Sequence, residues 1–288
     1  MTQPSDDQST HDSPPMPLPI RVDAGVLENV GDGAGHHRLT LEIPDWPGAE
    51  PGQFAMLSAG GGTEALRWDP LLPRPMAVYR GHAPARPGSA ARVDFILKVE
   101  GRGTRLLADL VPGQAVRLVG PLGTDFPVIE AGSRALLVGG GTGIASLFEL
   151  ARRGAGQADV HVVLGARTDS GLMGAADFEA LEVAFHVTTE DGSRGRRGRV
   201  TDVLAELLGS SEKAPRLYVC GPTPMMLACQ ELAAGAGVDC FVSLENTMAC
   251  GFGVCLGCAV PLRSGGYSLA CSAGPVYSAE EVAWEGLP

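Results

Sequence analysis

The sequence predicts a fold of two main parts: a small antiparallel β-barrel, then a parallel α/β sheet, with a short cysteine-rich appendage. Three observations predict it. From Ile20 to about Phe126, short β-prone runs, several alternating apolar and polar, are separated by Gly/Pro turns. Beyond residue 127, continuous apolar runs alternate with helical stretches, the pattern of βαβ units on a sheet covered on both faces. After residue 243 the chain follows neither pattern and carries four of its seven cysteines.

Residues 1–19 are rich in Pro and Asp, offer little to bury, and are expected to form a disordered tail. In the barrel half (20–126) the strand candidates are 38–43, 53–57, 76–79, 93–99 and 115–119. One helical piece, 104–110, ends at Pro112-Gly113. In the second half (127–243) the strand candidates are 135–138, 160–164, 184–188, 216–220 and 240–244. Helix candidates 144–153, 175–181, 201–208 and 225–234 lie between them. Residues 244–288 form the appendage.

The chain has 288 residues with 44% hydrophobic and 19% charged, ample for real cores. Its net charge of −11 disfavours nucleic acid as main partner. No run of about 18 apolar residues suggests a membrane helix, and the first 20 residues lack the Lys and Arg of a signal peptide. A cytoplasmic protein is expected. Thiols are reduced there, so the cysteines read as metal ligands or core residues rather than disulfides.

Cys250, Cys255 and Cys258 have the spacing C-x4-C-x2-C, with Cys271 following. In this arrangement one loop wraps an iron–sulfur rhomb and a more distant cysteine closes it. The intervening Gly251, Gly253 and Gly257 let backbone N–H groups turn toward sulfur. A structural zinc site is the alternative, although such sites favour paired C-x2-C knuckles. Cys229 and Cys240 read as core. Cys220, at Cys220-Gly221-Pro222, ends a strand where a parallel sheet opens a ligand crevice.

Gly139, Gly140, Gly141, Thr142 and Gly143 follow a buried strand and open a helix, a turn suited to a pyrophosphate or to close packing alone. Arg74, Pro75, Met76 and Ala77 open a barrel strand with a guanidinium fork for phosphate. Gly101 to Thr104 starts the barrel's helix, a second candidate anion site. Arg194, Arg196, Arg197 and Arg199 read as a solvated loop, with a role near a nucleotide phosphate left open.

In this order the motifs resemble the ferredoxin–NADP reductase superfamily. Within it, the four-cysteine tail resembles that of the electron-transfer subunits of class 1B dihydroorotate dehydrogenases. The likeness runs from about Val22 to Trp284 and includes Gly120-Pro121-Leu122-Gly123. It implies an FAD-binding barrel, a Rossmann-like NAD-binding domain and a small C-terminal [2Fe–2S] domain. Arg74, Pro75, Met76, Ala77, Ile96, Leu97, Lys98, Gly103 and Thr104 would bind FAD. Gly139 to Gly143 with Cys220 and Gly221 would bind NAD, and Cys250, Cys255, Cys258 and Cys271 would hold the cluster. Three positions depart from the pattern: Ala77 where serine is common, an enlarged 81–91 hairpin, and Asn246 where a charged residue is frequent.

The implied function is an electron relay from NADH through FAD and the cluster to a separate FMN-containing dihydroorotate dehydrogenase catalytic subunit. That partner converts dihydroorotate to orotate in pyrimidine biosynthesis, in a heterotetramer of two plus two. The rivals are the small subunit of another NAD(P)H:ferredoxin or sulfide oxidoreductase, and a zinc-stapled nucleotide-binding regulatory module.

Overall fold

The computed structural model describes residues 18–32, 34–61, 72–82, 86, 89–210 and 213–287. The expected tail, except for Leu18 and Pro19, and part of the 81–91 hairpin lie outside the described residues.

The first half closes into a barrel. Its strands are β1 (Ile20–Gly31), β2 (His36–Ile43), β3 (Phe54–Ala59), β4 (Arg74–His82), β5 (Ala91–Lys98) and β6 (Ala115–Leu122). They hydrogen-bond in the order β1-β2-β5-β4-β3-β6 with antiparallel neighbours. Alternation explains the closure: Leu39, Leu41 and Ile43 point inward with Val93, Phe95 and Leu97. The helix α1 (Arg102–Ala108) lies between β5 and β6 and buries Leu107 against this core.

The second half contains β7 (Arg134–Gly140), α2 (Ala145–Gly154), β8 (Asp159–Ala166), α3 (Ala175–Glu179), β9 (Ala184–Thr189), β10 (Arg196–Arg197), α4 (Val200–Gly209), β11 (Arg216–Cys220), α5 (Thr223–Ala236) and β12 (Cys240–Ser243). These strands run parallel, and period two divides each between the two faces. Ala135 and Leu137 join the layer of Phe148 and Phe178, whereas Leu136 and Val138 join that of Leu204 and Met226. The sheet order β10-β9-β8-β7-β11-β12 reverses direction between β7 and β11, which opens a crevice at their carboxyl ends.

The appendage adds β13 (Ala259–Pro261), β14 (Tyr267–Leu269) and β15 (Val276–Ser278). β13 and β14 form a two-stranded ribbon. β15 instead pairs antiparallel with β12 and extends the α/β sheet. The cysteine segment is therefore built into the edge of the second half, an attachment that a boundary drawn at residue 243 does not express. Three-residue strands carry too little periodicity to be read locally.

Candidate functional site

The Gly139–Gly143 turn sits at the sheet's switch point. A Cβ at Gly143 would lie 2.5 Å from the Cys220 carbonyl carbon, so this glycine lets the turn press against the end of β11. Gly139 faces Ile144 and Leu164, a packing role. Gly140 and Gly141 line a cleft of about 640 Å³ over the carboxyl ends of the parallel strands. Arg167, Thr168, Thr188, Glu190 and Arg199 line it as well, and the barrel contributes His36 and Lys98. On this wall the buried Thr188 hydroxyl has no hydrogen-bond partner, a polar group waiting for a ligand atom. Cys220 is placed differently: its thiol is buried, donates to the Ser243 carbonyl at 3.4 Å, and lines neither this cleft nor the next. Burial pushes that thiol up to about 12.

A second cleft of about 230 Å³ adjoins the first, with Lys98 on the wall of both. Pro75, Met76, Ala77, Ile96, Leu97, Lys98 and Thr104 come together here from the barrel. Thr142 and Ser146 reach it from the second half, and Glu245, Asn246 and Met248 from the cysteine segment. Arg74 lies at the edge over Gly103, where an added Cβ would collide with the guanidinium. Arg74 spends only a 3.3 Å hydrogen bond on the Pro73 carbonyl and makes no ion pair among the described residues, so its fork is free for an anion. The Thr104 hydroxyl is already engaged: it donates to the Gly101 carbonyl at 3.0 Å and accepts from the Glu100 and Gly101 N–H groups.

Glu245 was not singled out from sequence. Its side chain keeps contact with solvent in the open cleft, yet the protein surrounding it pushes the carboxyl above the ordinary range. The Thr142 hydroxyl donates to it at 3.3 Å. No local pattern marks this glutamate, because Thr142 is 103 residues away.

The four tail cysteines meet in pairs. The Cys258 thiol donates to Cys271 Sγ at 3.2 Å, and Cys250 hydrogen-bonds with Cys255. Among the described residues, no three His, Cys, Asp or Glu side chains converge on a single ion. Two thiol pairs suit a rhomb with two metal positions. Gly251 at φ 80° and Leu256 at φ 59° turn the loop back through left-handed backbone. N–H groups point at sulfur: Phe252 to Cys250 at 3.3 Å, and Gly253 to Cys271 at 3.0 Å. The Phe252 and Cys255 N–H groups hold the Cys250 thiol down to about 6. Burial and the Cys258 thiol push Cys271 up to about 12.

Residues 245–283 match the family model for the iron–sulfur cluster binding domain of dihydroorotate dehydrogenase B, and residues 137–231 that of the oxidoreductase NAD-binding domain. The dihydroorotate dehydrogenase B (NAD(+)) electron transfer subunit of Caldanaerobacter subterraneus subsp. tengcongensis is 38% identical over 267 residues, covering 91% of this chain and 98% of that one. The chain belongs to the family of dihydroorotate dehydrogenase B electron-transfer subunits. The Aquifex aeolicus homolog of this electron-transfer subunit is also 38% identical, with the same coverage. A solved NADH-dependent reduced ferredoxin-NADP oxidoreductase superposes with a TM-score of 0.78 at 30% identity, over 92% of this chain and 91% of that one. The ferredoxin reductase in carbazole 1,9a-dioxygenase, at 23% identity and a TM-score of 0.61 over 76% of this chain and 66% of that one, shares the fold. As an electron-transfer subunit of this family, the protein is a flavin and iron–sulfur oxidoreductase component with FAD, an iron–sulfur cluster and NAD(H) as its cofactors.

Proposed function

We propose that the chain relays electrons between NAD(H) and a separate FMN-containing dihydroorotate dehydrogenase catalytic subunit in pyrimidine biosynthesis, two copies of each forming the complex. The observation that carries this reading is the 230 Å³ cleft, walled by all three segments of the chain and adjoining the nucleotide cleft at Lys98. When bound, FAD exchanges a hydride with the nicotinamide and single electrons with the [2Fe–2S] cluster, chemistry that no side chain supplies. The chain's own residues hold and separate. The Arg74 fork over Gly103 would take the FAD pyrophosphate, and Pro75, Met76, Ala77 and Ile96 would form an apolar wall beside the ring, while the Leu97 side chain fills the barrel core behind it. Gly140 and Gly141 let the dinucleotide approach the backbone closely at the switch point. Cys250, Cys255, Cys258 and Cys271 hold the cluster.

Electron direction follows from the balance. Oxidation of dihydroorotate releases two electrons, which run toward NAD+, whereas added NADH drives the same relay the other way. The partner's docking surface is the collar of the cysteine loop. Cys255 is exposed there, and Phe252, Val254 and Leu256 are 56%, 80% and 63% exposed around it. Among the described helices none is long and apolar enough to cross a membrane.

Co-purification tests the reading. The chain should bring down an FMN protein, and the complex should form orotate from dihydroorotate with NAD+. Val254→Glu should weaken the association about tenfold or more without loss of FAD or iron. The structural similarity to a ferredoxin-NADP oxidoreductase supplies the second reading. Reduction of ferredoxin by the chain, with no orotate formed alongside any FMN protein, would favour that one.

A further inference from the structure

The nucleotide cleft has a direction. Its flavin end is marked by Lys98, shared with the neighbouring cleft, and by the Gly140–Gly141 turn on β7. From β7 the sheet steps to β8 and then to β9. At about 5 Å per strand, the ends of β8 and β9 lie roughly 5–10 Å further along. A dinucleotide with its nicotinamide at the flavin therefore lays its adenosine over those two ends.

The residues waiting there are few and firmly held. The Glu190 N–H donates to the Ala166 carbonyl at 3.1 Å and the Asp191 N–H to the Arg167 carbonyl at 3.2 Å, so the chain after β9 is laced to the chain after β8. Ser193 Oγ accepts from the Asp169 N–H at 2.8 Å, and Arg194 pairs with Asp169 at 3.4 Å, which ties the two loops a second time. Arg194 also pairs with Glu179, and Arg196 with Glu206. Arg167 and Arg199, both exposed on the cleft, have no ion-pair partner among the described residues. Glu190 is the only carboxylate among the described lining residues, just past the end of β9, and it shares the cleft wall with the unpartnered Thr188 hydroxyl.

We propose that Glu190 sets the choice of nicotinamide dinucleotide, accepting the hydroxyls of the adenosine ribose and rejecting a 2′-phosphate. The proposal rests on the reading of this cleft as the NAD(H) site. A carboxylate has only acceptor oxygens, which suit a ribose diol and meet a phosphate as a like charge. The two arginines would otherwise welcome that phosphate, since a guanidinium fork matches its oxygens. Selectivity at this end of the cleft therefore depends on one repulsive group rather than on a lack of cations. A single substitution should open the site to NADPH.

The test uses the FAD-loaded chain. Calorimetric titrations with 5′-AMP and with 2′,5′-ADP read binding directly, and anaerobic flavin reduction by NADH and NADPH reads use. The wild-type protein should prefer 5′-AMP and NADH. In Glu190→Gln both preferences should shift toward the 2′-phosphorylated ligand by about tenfold or more, with FAD content unchanged. Adding Arg199→Ala to that variant should remove most of the gain. A Glu190→Gln protein whose two preferences stay within about twofold of wild type overturns the proposal while leaving the NAD(H) site standing. Failure of the wild-type chain to bind either probe or to be reduced by NADH would sink the cleft assignment, and the proposal with it.

Discussion

Arg74 carries the only charge at the Arg74–Ala77 strand start and lies over Gly103, making no ion pair among the described residues. A charge-assisted contact of this kind contributes about 1.5–3 kcal/mol, so Arg74→Ala should bind FAD roughly ten- to a hundredfold more weakly and purify flavin-poor. Flavin content per chain, read from the visible spectrum, checks it. Cys255 makes the complementary case at the other end of the site. It is exposed and pairs with Cys250, and Arg74 and Gly103 lie apart from it in the barrel. Cys255→Ser should lose most iron and sulfide while keeping FAD. Two irons and two sulfides per chain in that variant would refute the ligand assignment.

Among the described α-helices α3 is the shortest, and it carries a dense polar contact between the two halves. Its Asp177 carboxylate accepts from the buried Tyr79 hydroxyl on β4 at 2.6 Å, and pairs with Arg38 on β2 and with Arg80 on β4 at 3.0 Å. The Arg80 guanidinium also stacks 4.4 Å from the Phe148 ring centroid on α2. Burial pushes Asp177 up, but the Tyr79 hydroxyl and the two arginines outweigh it, and the carboxyl lies below its ordinary range. A carboxyl held low when folded stabilises the protein above its unfolded pKa, and that contribution fades as pH falls through the folded value. Tyr79→Phe should therefore cost about 1.5–3 kcal/mol near neutrality. For Asp177→Asn, the deficit against wild type seen in denaturant melts at pH 7 should shrink below about pH 4. A deficit independent of pH would exclude the charged carboxylate as its source.

At the scale of the whole molecule, the barrel, the α/β half and the cysteine segment meet around a single cleft. The 640 Å³ cleft adjoins it on one side, and the exposed Cys255 loop belongs to the segment that walls another. This layout predicts an obligatory order of access. Protein stripped of FAD should show no NADH-driven bleaching of the cluster in anaerobic rapid mixing, although dithionite still bleaches it. Cluster bleaching by NADH in flavin-free protein would overturn the order. Cluster-free Cys255→Ser protein should still have its flavin reduced by NADH but deliver nothing to the partner.

Much of this architecture is written locally. Apolar alternation placed β2 to β6 of the barrel, and continuous apolar runs placed β7, β8, β9, β11 and β12. In contrast, β1 and the two-residue β10, the latter expected as part of a solvated loop, are not among the strands the sequence predicts. Arg216–Cys220 is the strand its residues predict end to end. The cysteine spacing marked the thiols that meet in pairs, and the motif from Arg74 to Ala77 contains Pro75, Met76 and Ala77 on one wall of the 230 Å³ cleft. Such features depend on neighbours within a few residues, where period and turn chemistry act. Other features depend on how the layers pack. Asp177 meets Tyr79 across 98 residues, Glu245 meets Thr142 across 103, and β15 crosses from the cysteine segment into the sheet of the second half. The burial of Cys220 and the position of Glu190 beside Arg167 are of the same kind. A lone charged or polar residue leaves no periodic trace in the sequence, and its role arises only when tertiary packing supplies its partners.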